Sequence, residues 1–171
     1  MQQVDEQNRV LERWLDAYRG LLFKIVRAYA FTPTDREDLF QEIALQVWRS
    51  IPGFRGDSAA KTWVYRVAVN TAVAWTRREI KHRRGQPLLS DIEPVLSQID
   101  THRNHQSEWL YERIGQLNEI DRSLTLMFLD GFTYDEIATT LGISESNVGA
   151  KIHRLKSHLA RLLQRENIHG D

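Results

Sequence analysis

Thr133 to Leu163, TYDEIATTLGISESNVGAKIHRLKSHLARLL, leaves this chain little choice of local structure: two short helices must meet at a tight turn. Thr133 followed by Glu136 three positions on forms a capping box that starts the first helix. Ile137, Ala138 and Leu141 give it an inward stripe, and Gly142 stands where a helix closes through a left-handed residue. Ser144 can cap the second helix, whose apolar side is Val148, Ile152, Leu155, Leu159 and Leu162 or Leu163. Asn147, Lys151, Arg154, His158 and Arg161 make its outward side. Small Ala138 suits close crossing of the two helices. The pattern is that of a helix-turn-helix DNA reader, set against the plainer possibility of an αα-hairpin with a solvated basic face.

At 171 residues and 42% hydrophobic content the chain can hold one medium domain or two small ones, each with a core. With no cysteine, neither a disulfide framework nor a cysteine–zinc site is open to it. The first residues, MQQVDEQNRV, are polar and acidic rather than signal-like, and no apolar run approaches the ~20 residues of a membrane span. A cytoplasmic protein with no membrane insertion of its own is the expectation.

Lysine plus arginine equals aspartate plus glutamate at 23 each, so the net charge is zero, unusual for a protein that binds DNA unaided. The charge is distributed in blocks. Arg77, Arg78, Lys81, Arg83 and Arg84 form one basic block, and Lys151, Arg154, Lys156, Arg161 and Arg165 form another. Acids cluster at Asp35, Glu37, Asp38 and Glu42, at Asp91, Glu93 and Asp100, and at Asp130, Asp135 and Glu136. Two separated basic patches predict two nucleic-acid contacts and weak non-specific affinity overall, with the acids free to meet a protein partner.

The periodicity predicts an all-α chain. A first helix is expected from Asn8 to Tyr29, broken by Thr32-Pro33-Thr34, and a second, capped by Thr34 or Asp35, to Ser50 with Leu39, Ile43, Val47 and Ile51 inward. Pro52-Gly53 stops it. After the loop Phe54-Arg55-Gly56-Asp57-Ser58, a third helix is expected from Ala59 to His82 with Val64, Val67, Ala68, Thr71 and Trp75 inward. Periodicity then lapses through a stretch with Pro87 and Pro94, too long for an internal loop and better read as a flexible linker that reaches up to roughly 80 Å. A second lobe opens with Trp109, Ile114 and Leu117, followed by a short helix over 121–130 and the helix-turn-helix. Two small helical domains over 8–84 and 108–166, joined by a linker over 85–107, are the expected organisation.

Two further surfaces stand out. The start of the second helix carries Asp35, Asp38 and Glu42 on one side; dipole complementarity explains acids in its first turn but not Gln41, Glu42 and Arg49 beyond it. The loop and third helix offer Phe54, Arg55, Asp57, Ser58, Lys61 and Trp63, then Arg66, Asn70, Arg77 and Arg78. Aromatics beside cations and amides suit unpaired bases, which stack on rings at about 1–3 kcal/mol each. Packing of Trp63 within the bundle, and a helix-to-helix hydrogen bond from Asn70, are the plainer readings.

With these segments in order, the chain resembles the extracytoplasmic-function (group IV) sigma factors of the bacterial sigma-70 family. DREDLFQEIALQVWRSIPGFRGDSAAKTWVYRVAVNTAVAWTRR is similar to region 2, and LNEIDRSLTLMFLDGFTYDEIATTLGISESNVGAKIHRLKSHL is similar to region 4. The resemblance implies that Asp35, Asp38, Gln41, Glu42 and Arg49 grip the β′ clamp helices of core RNA polymerase. It implies that Phe54, Arg55, Asp57, Ser58, Lys61, Trp63, Arg66, Asn70, Arg77 and Arg78 serve the -10 element. Ser144, Ser146, Asn147, Lys151, Arg154 and Lys156 would serve the -35 element, with the β flap a further polymerase contact and an anti-sigma factor a further partner. The chain departs from many relatives at Ala60 and Lys61, where an aromatic is common, and at Gly149, where a basic residue is common.

No catalytic constellation is visible. His102 and His105 lack a third ligand, and His153 and His158 do not share a helix face, so neither a metal nor any other cofactor is expected. A dimeric transcription regulator would account for the helix-turn-helix but not for the acidic helix face or the aromatic-basic loop. An enzyme or RNA-binding module would need groups that the chain does not place together.

Overall fold

The computed structural model describes residues 2–84 and 105–168, and every regular element among them is helical. They fall into two compact units, Met1–Gln116 and Leu117–Asp171. The expected linker lies outside the described residues up to 104, as do Asp91, Glu93, Asp100 and His102.

The first unit opens with α1 (Gln2–Ala17) and α2 (Arg19–Tyr29). The single long helix expected from Asn8 to Tyr29 is therefore two. Tyr18 sits between them at φ −112°, ψ 17°, although its N–H still reaches Trp14 O at 2.9 Å. Gly20, a poor helix former with no side chain to pack, follows at once and favours the bend there. Leu21, Leu22, Ile25, Val26, Ala28 and Tyr29 are buried, so α2 is covered on most sides and forms the middle of the core.

Next comes α3 (Pro33–Ser50), capped not by Thr34 or Asp35 but by Thr32, whose hydroxyl accepts from the Asp35 N–H at 3.1 Å. Pro33 fills the first helical position, where its missing N–H loses nothing. Leu39, Ile43 and Val47, spaced by four, are fully buried. Polar ties complete the α1–α3 packing: Gln7 Nε2 donates to Trp48 O at 2.6 Å and Trp48 Nε1 donates to Asn8 Oδ1 at 2.9 Å. A 3-10 turn (Ile51–Gly53) holds Ile51, which the periodicity assigns to α3, and leads to the loop before α4 (Ala60–Arg84). This helix lays Val64, Tyr65, Ala68, Ala72 and Trp75 against α2 and α3. It is helical to Arg84, but the side chains of Lys81, Arg83 and Arg84 lie outside the described residues.

α5 (His105–Gly115) packs on α2 within this same unit, although it stands at the head of the second lobe in the sequence. The Arg27 guanidinium lies 4.9 Å from the Tyr111 ring centre. Gly115 is where the backbones approach: a Cβ there would meet Phe31 ring atoms at 2.9 Å and the Ala28 carbonyl oxygen at 3.3 Å.

The second unit contains α6 (Glu119–Leu129), α7 (Tyr134–Leu141) and α8 (Glu145–Ile168). Asn118 caps α6 through Oδ1, which accepts from the Asp121 N–H at 3.0 Å. Both halves of the Thr133–Glu136 capping box are made: Thr133 Oγ1 accepts from the Glu136 N–H at 3.2 Å, and Glu136 Oε2 accepts from the Thr133 N–H at 2.8 Å. Gly142 adopts φ 67°, the left-handed conformation that ends α7, and the Ile143 N–H returns to Ala138 O at 3.1 Å. Ser144 Oγ accepts from the Asn147 N–H at 3.2 Å, and so caps α8. Leu124, Leu126, Met127, Ile137, Val148 and Ile152 form the core beneath.

Candidate partner and nucleic-acid interfaces

The outer face of α3 follows from its inner one. With Leu39, Ile43 and Val47 buried, Asp38, Gln41 and Arg49 fall on the exposed side. Leu45 shares that side and is 41% exposed, which sets an apolar group among the polar ones; Phe40, 36% exposed, lies round the helix near Val47. Sequence reasoning missed both: Leu45 is out of register with 39, 43 and 47, whereas Phe40, seven positions before Val47, keeps the spacing of an inward residue. Asp35 is half-buried in the first turn. Glu42 Oε1 accepts from Gln46 Nε2, one turn on along α3, at 3.2 Å and lies 3.8 Å from Arg78 Nη2 of α4.

The Glu42–Arg78 pair brings together residues assigned to different partners. A groove of about 640 Å³ between α3 and α4 is lined by Glu42, Gln46, Arg49, Ser50, Asn70 and Arg78 among others. Asn70 and Arg66 are exposed on α4, on the side opposite Tyr65 and Ala68; Arg77 is exposed too. Asn70 thus lines the α3–α4 groove.

The loop before α4 is braced by rings. Phe54 meets Trp14 edge-to-face at 5.1 Å and Trp63 at 5.6 Å, and Trp63 Nε1 donates to Ser50 Oγ at 3.0 Å. Around the half-buried rings of Phe54 and Trp63 lies a recess of about 330 Å³, lined also by Gly53, Arg55, Asp57 and Ser58. Arg55 and Asp57 are exposed, while Ser58 and Lys61 are half-buried. Gly56 takes φ 80°, which lets the loop turn without strain.

On α8 the expected readers divide. Ser144, Ser146, Asn147 and Arg154 are exposed. Lys151 is engaged: its Nζ lies 2.7 Å from Asp121 Oδ1, with each side chain 22% exposed. Burial alone would raise the Asp121 carboxyl, but hydrogen bonds from Lys151 and Asn118 and the charges of Lys151 and Arg154 outweigh it and hold the group below its ordinary value. Lys156 is exposed, with its Nζ 4.7 Å from the Phe128 ring centre. Ala150, His153 and Ser157, which sequence reasoning passed over, share the exposed side with Ser146. Gly149 sits beside Tyr134, whose ring would stand 3.6 Å from an added Cβ, so a side chain fits there.

The model of Sigma-70 region 2 matches residues 14–82 and that of Sigma-70 region 4 matches residues 107–159. The chain is 28% identical to the ECF RNA polymerase sigma-E factor of Haemophilus influenzae, over 96% of this chain and 92% of that one. It is 29% identical to the RNA polymerase sigma-H factor of Pseudomonas aeruginosa, over 86% and 82%. In fold it matches CnrH, solved in complex with the cytosolic domain of CnrY, at TM-score 0.65 and 19% identity, with 96% of this chain and 94% of that one covered. It also matches the sigma factor RpoE of Bartonella quintana, solved with the anti-sigma factor NepR, at TM-score 0.67 and 20% identity, with 92% and 96% covered.

Proposed function

This chain belongs to the extracytoplasmic-function group of the sigma-70 family and is an alternative sigma factor of RNA polymerase, not an enzyme; from that premise we propose how its surfaces divide the work. The outer face of α3, with Asp38, Gln41, Leu45 and Arg49, binds the β′ clamp helices of core polymerase in the cytoplasm. The recess at Phe54–Trp63 and the exposed Arg66, Asn70, Arg77 and Arg78 take the -10 element as it opens. Ser146, Asn147 and Arg154 of α8 enter the major groove of the -35 element. Residues 8–84 thus act as region 2 and 108–166 as region 4, which also meets the β flap.

The observation that carries the reading is the braced loop. Phe54 and Trp63 are held edge-to-face while a recess bordered by Arg55, Asp57 and Ser58 stays open beside them. A flipped base needs a preformed apolar wall with polar groups at its rim, because unstacking takes a few kcal/mol that the site must offset. Neutral net charge supports the same division: affinity for DNA is too weak in the free chain and arises in the holoenzyme.

We further propose an anti-sigma factor as a partner. CnrH and RpoE, which share this fold, were each solved with a partner protein, and the exposed Leu45 and Phe40 offer apolar contacts that such a partner would cover.

Separating the functions by mutation tests the assignment. Gln41→Ala with Leu45→Ala should lower core affinity about tenfold or more, with retained promoter preference in whatever holoenzyme forms. Arg154→Ala should weaken promoter binding by a factor of about 5–150, the loss of one good groove contact at 1–3 kcal/mol, with unchanged core affinity. Equal effects of all three substitutions in both assays would refute it.

A further inference from the structure

Residue type places Lys151 on the outward side of α8, but its ammonium is not there. Taking Val148 as the centre of the buried seam, Lys151 lies about 60° round the helix, beside Ile152 and Leu155 rather than opposite them. Its Nζ reaches Asp121 Oδ1 at 2.7 Å, in a pair only one-fifth exposed on each side (22%). Asp121 is itself held before Lys151 arrives: Oδ2 accepts from Asn118 Nδ2 at 2.7 Å, and the Asp121 N–H donates to Asn118 Oδ1 at 3.0 Å. Lys151 is therefore clamped to the capped first turn of α6, while on the seam's other flank Lys156 lies 4.7 Å from the Phe128 ring centre near the end of α6.

We propose that Lys151 is a positioning residue for -35 reading: its ion pair with Asp121 sets the roll of α8 about its own axis and so aims Ser146, Asn147 and Arg154 at the groove. The inference rests on the promoter-reading role proposed above. The reason is geometric. Burial of Val148 and Ile152 is non-directional, whereas a 2.7 Å charge-assisted hydrogen bond to an acid already tied to Asn118 favours one roll of α8 over its neighbours. A side-chain tip about 6 Å from the helix axis moves roughly 2 Å for a roll of about 20°. Hydrogen bonds to base edges, which need about 2.7–3.2 Å between heavy atoms, do not survive that displacement. Were Lys151 instead to swing out to a phosphate, it would leave Asp121 half-buried with its closest cation gone.

The test uses holoenzyme reconstituted from the full chain and core polymerase on a DNA library randomised over the -35 element, with base preference at each position read by sequencing. Affinity for the best promoter is also measured against salt. Lys151→Ala and Asp121→Ala should flatten the -35 preference alike, to within about twofold, and leave the salt slope unchanged. Lys151→Arg should retain the preference, and the exchanged pair Lys151→Asp with Asp121→Lys should restore most of it. The proposal is overturned if Lys151→Ala lowers the salt slope by about one unit while Asp121→Ala binds as well as or better than the unsubstituted chain, which marks Lys151 as a phosphate contact. It is also overturned if the two single substitutions reduce thermal stability additively in the double variant, since paired groups must couple. Wild-type holoenzyme without any -35 preference would overturn the promoter-reading role itself, and this inference with it.

Discussion

Thr133 and Glu136 hold the start of α7 by two reciprocal bonds at 3.2 and 2.8 Å, and α7 in turn packs against α8. Thr133→Ala removes the hydroxyl half of that box and should destabilise the second unit by about 0.5–2 kcal/mol, measured by chemical denaturation. Asp121 gives a pH-dependent counterpart. Its folded value lies below the ordinary 3.8, so its stabilisation is complete above that value and is lost as pH falls through the folded one. Asp121→Asn should therefore lower the denaturation midpoint at neutral pH. The difference from the unsubstituted chain should close as the solution becomes strongly acid; a difference independent of pH would show that the charge of Asp121 is not what stabilises the fold.

Helix by helix, what the sequence made readable was whatever local chemistry decides. The capping box, the left-handed Gly142, the Ser144 cap and the 39-43-47 stripe are all encoded within a few residues of where they act, and each stands as the spacing predicts. The break at Tyr18 was hidden because Val10, Trp14, Ala17, Leu21 and Ile25 keep helical spacing across it, and Gly20 is its only local sign. Residue type, not angle, puts Lys151 outward in the sequence; its partner Asp121 is 30 positions away, beyond any local pattern. The docking of α5 on α2 had no sequence signal except a glycine at a helix end. Gly115→Leu should force Phe31 and the Ala28 carbonyl away from α5, at an overpacking cost of about 1–3 kcal/mol. Hydrogen exchange should then quicken in α5 and stay unchanged in α7; unchanged protection of α5 would contradict the close approach seen at Gly115.

Taken together, a neutral chain with two basic regions is built to depend on a larger assembly. Each surface described is modest alone: a helix face with an exposed leucine, a recess beside two rings, a short exposed edge of α8. Specific DNA binding requires several such contacts at once, and core polymerase supplies the frame that makes them simultaneous. The free chain should accordingly bind duplex promoter DNA weakly at physiological salt. The decisive measurement is in vitro transcription on genomic DNA fragments by core polymerase with and without this protein. The account predicts discrete transcripts, beginning downstream of shared -35 and -10 sequences, only when the protein is added. Absence of such transcripts despite stable association with core, or failure to associate at all, would contradict it.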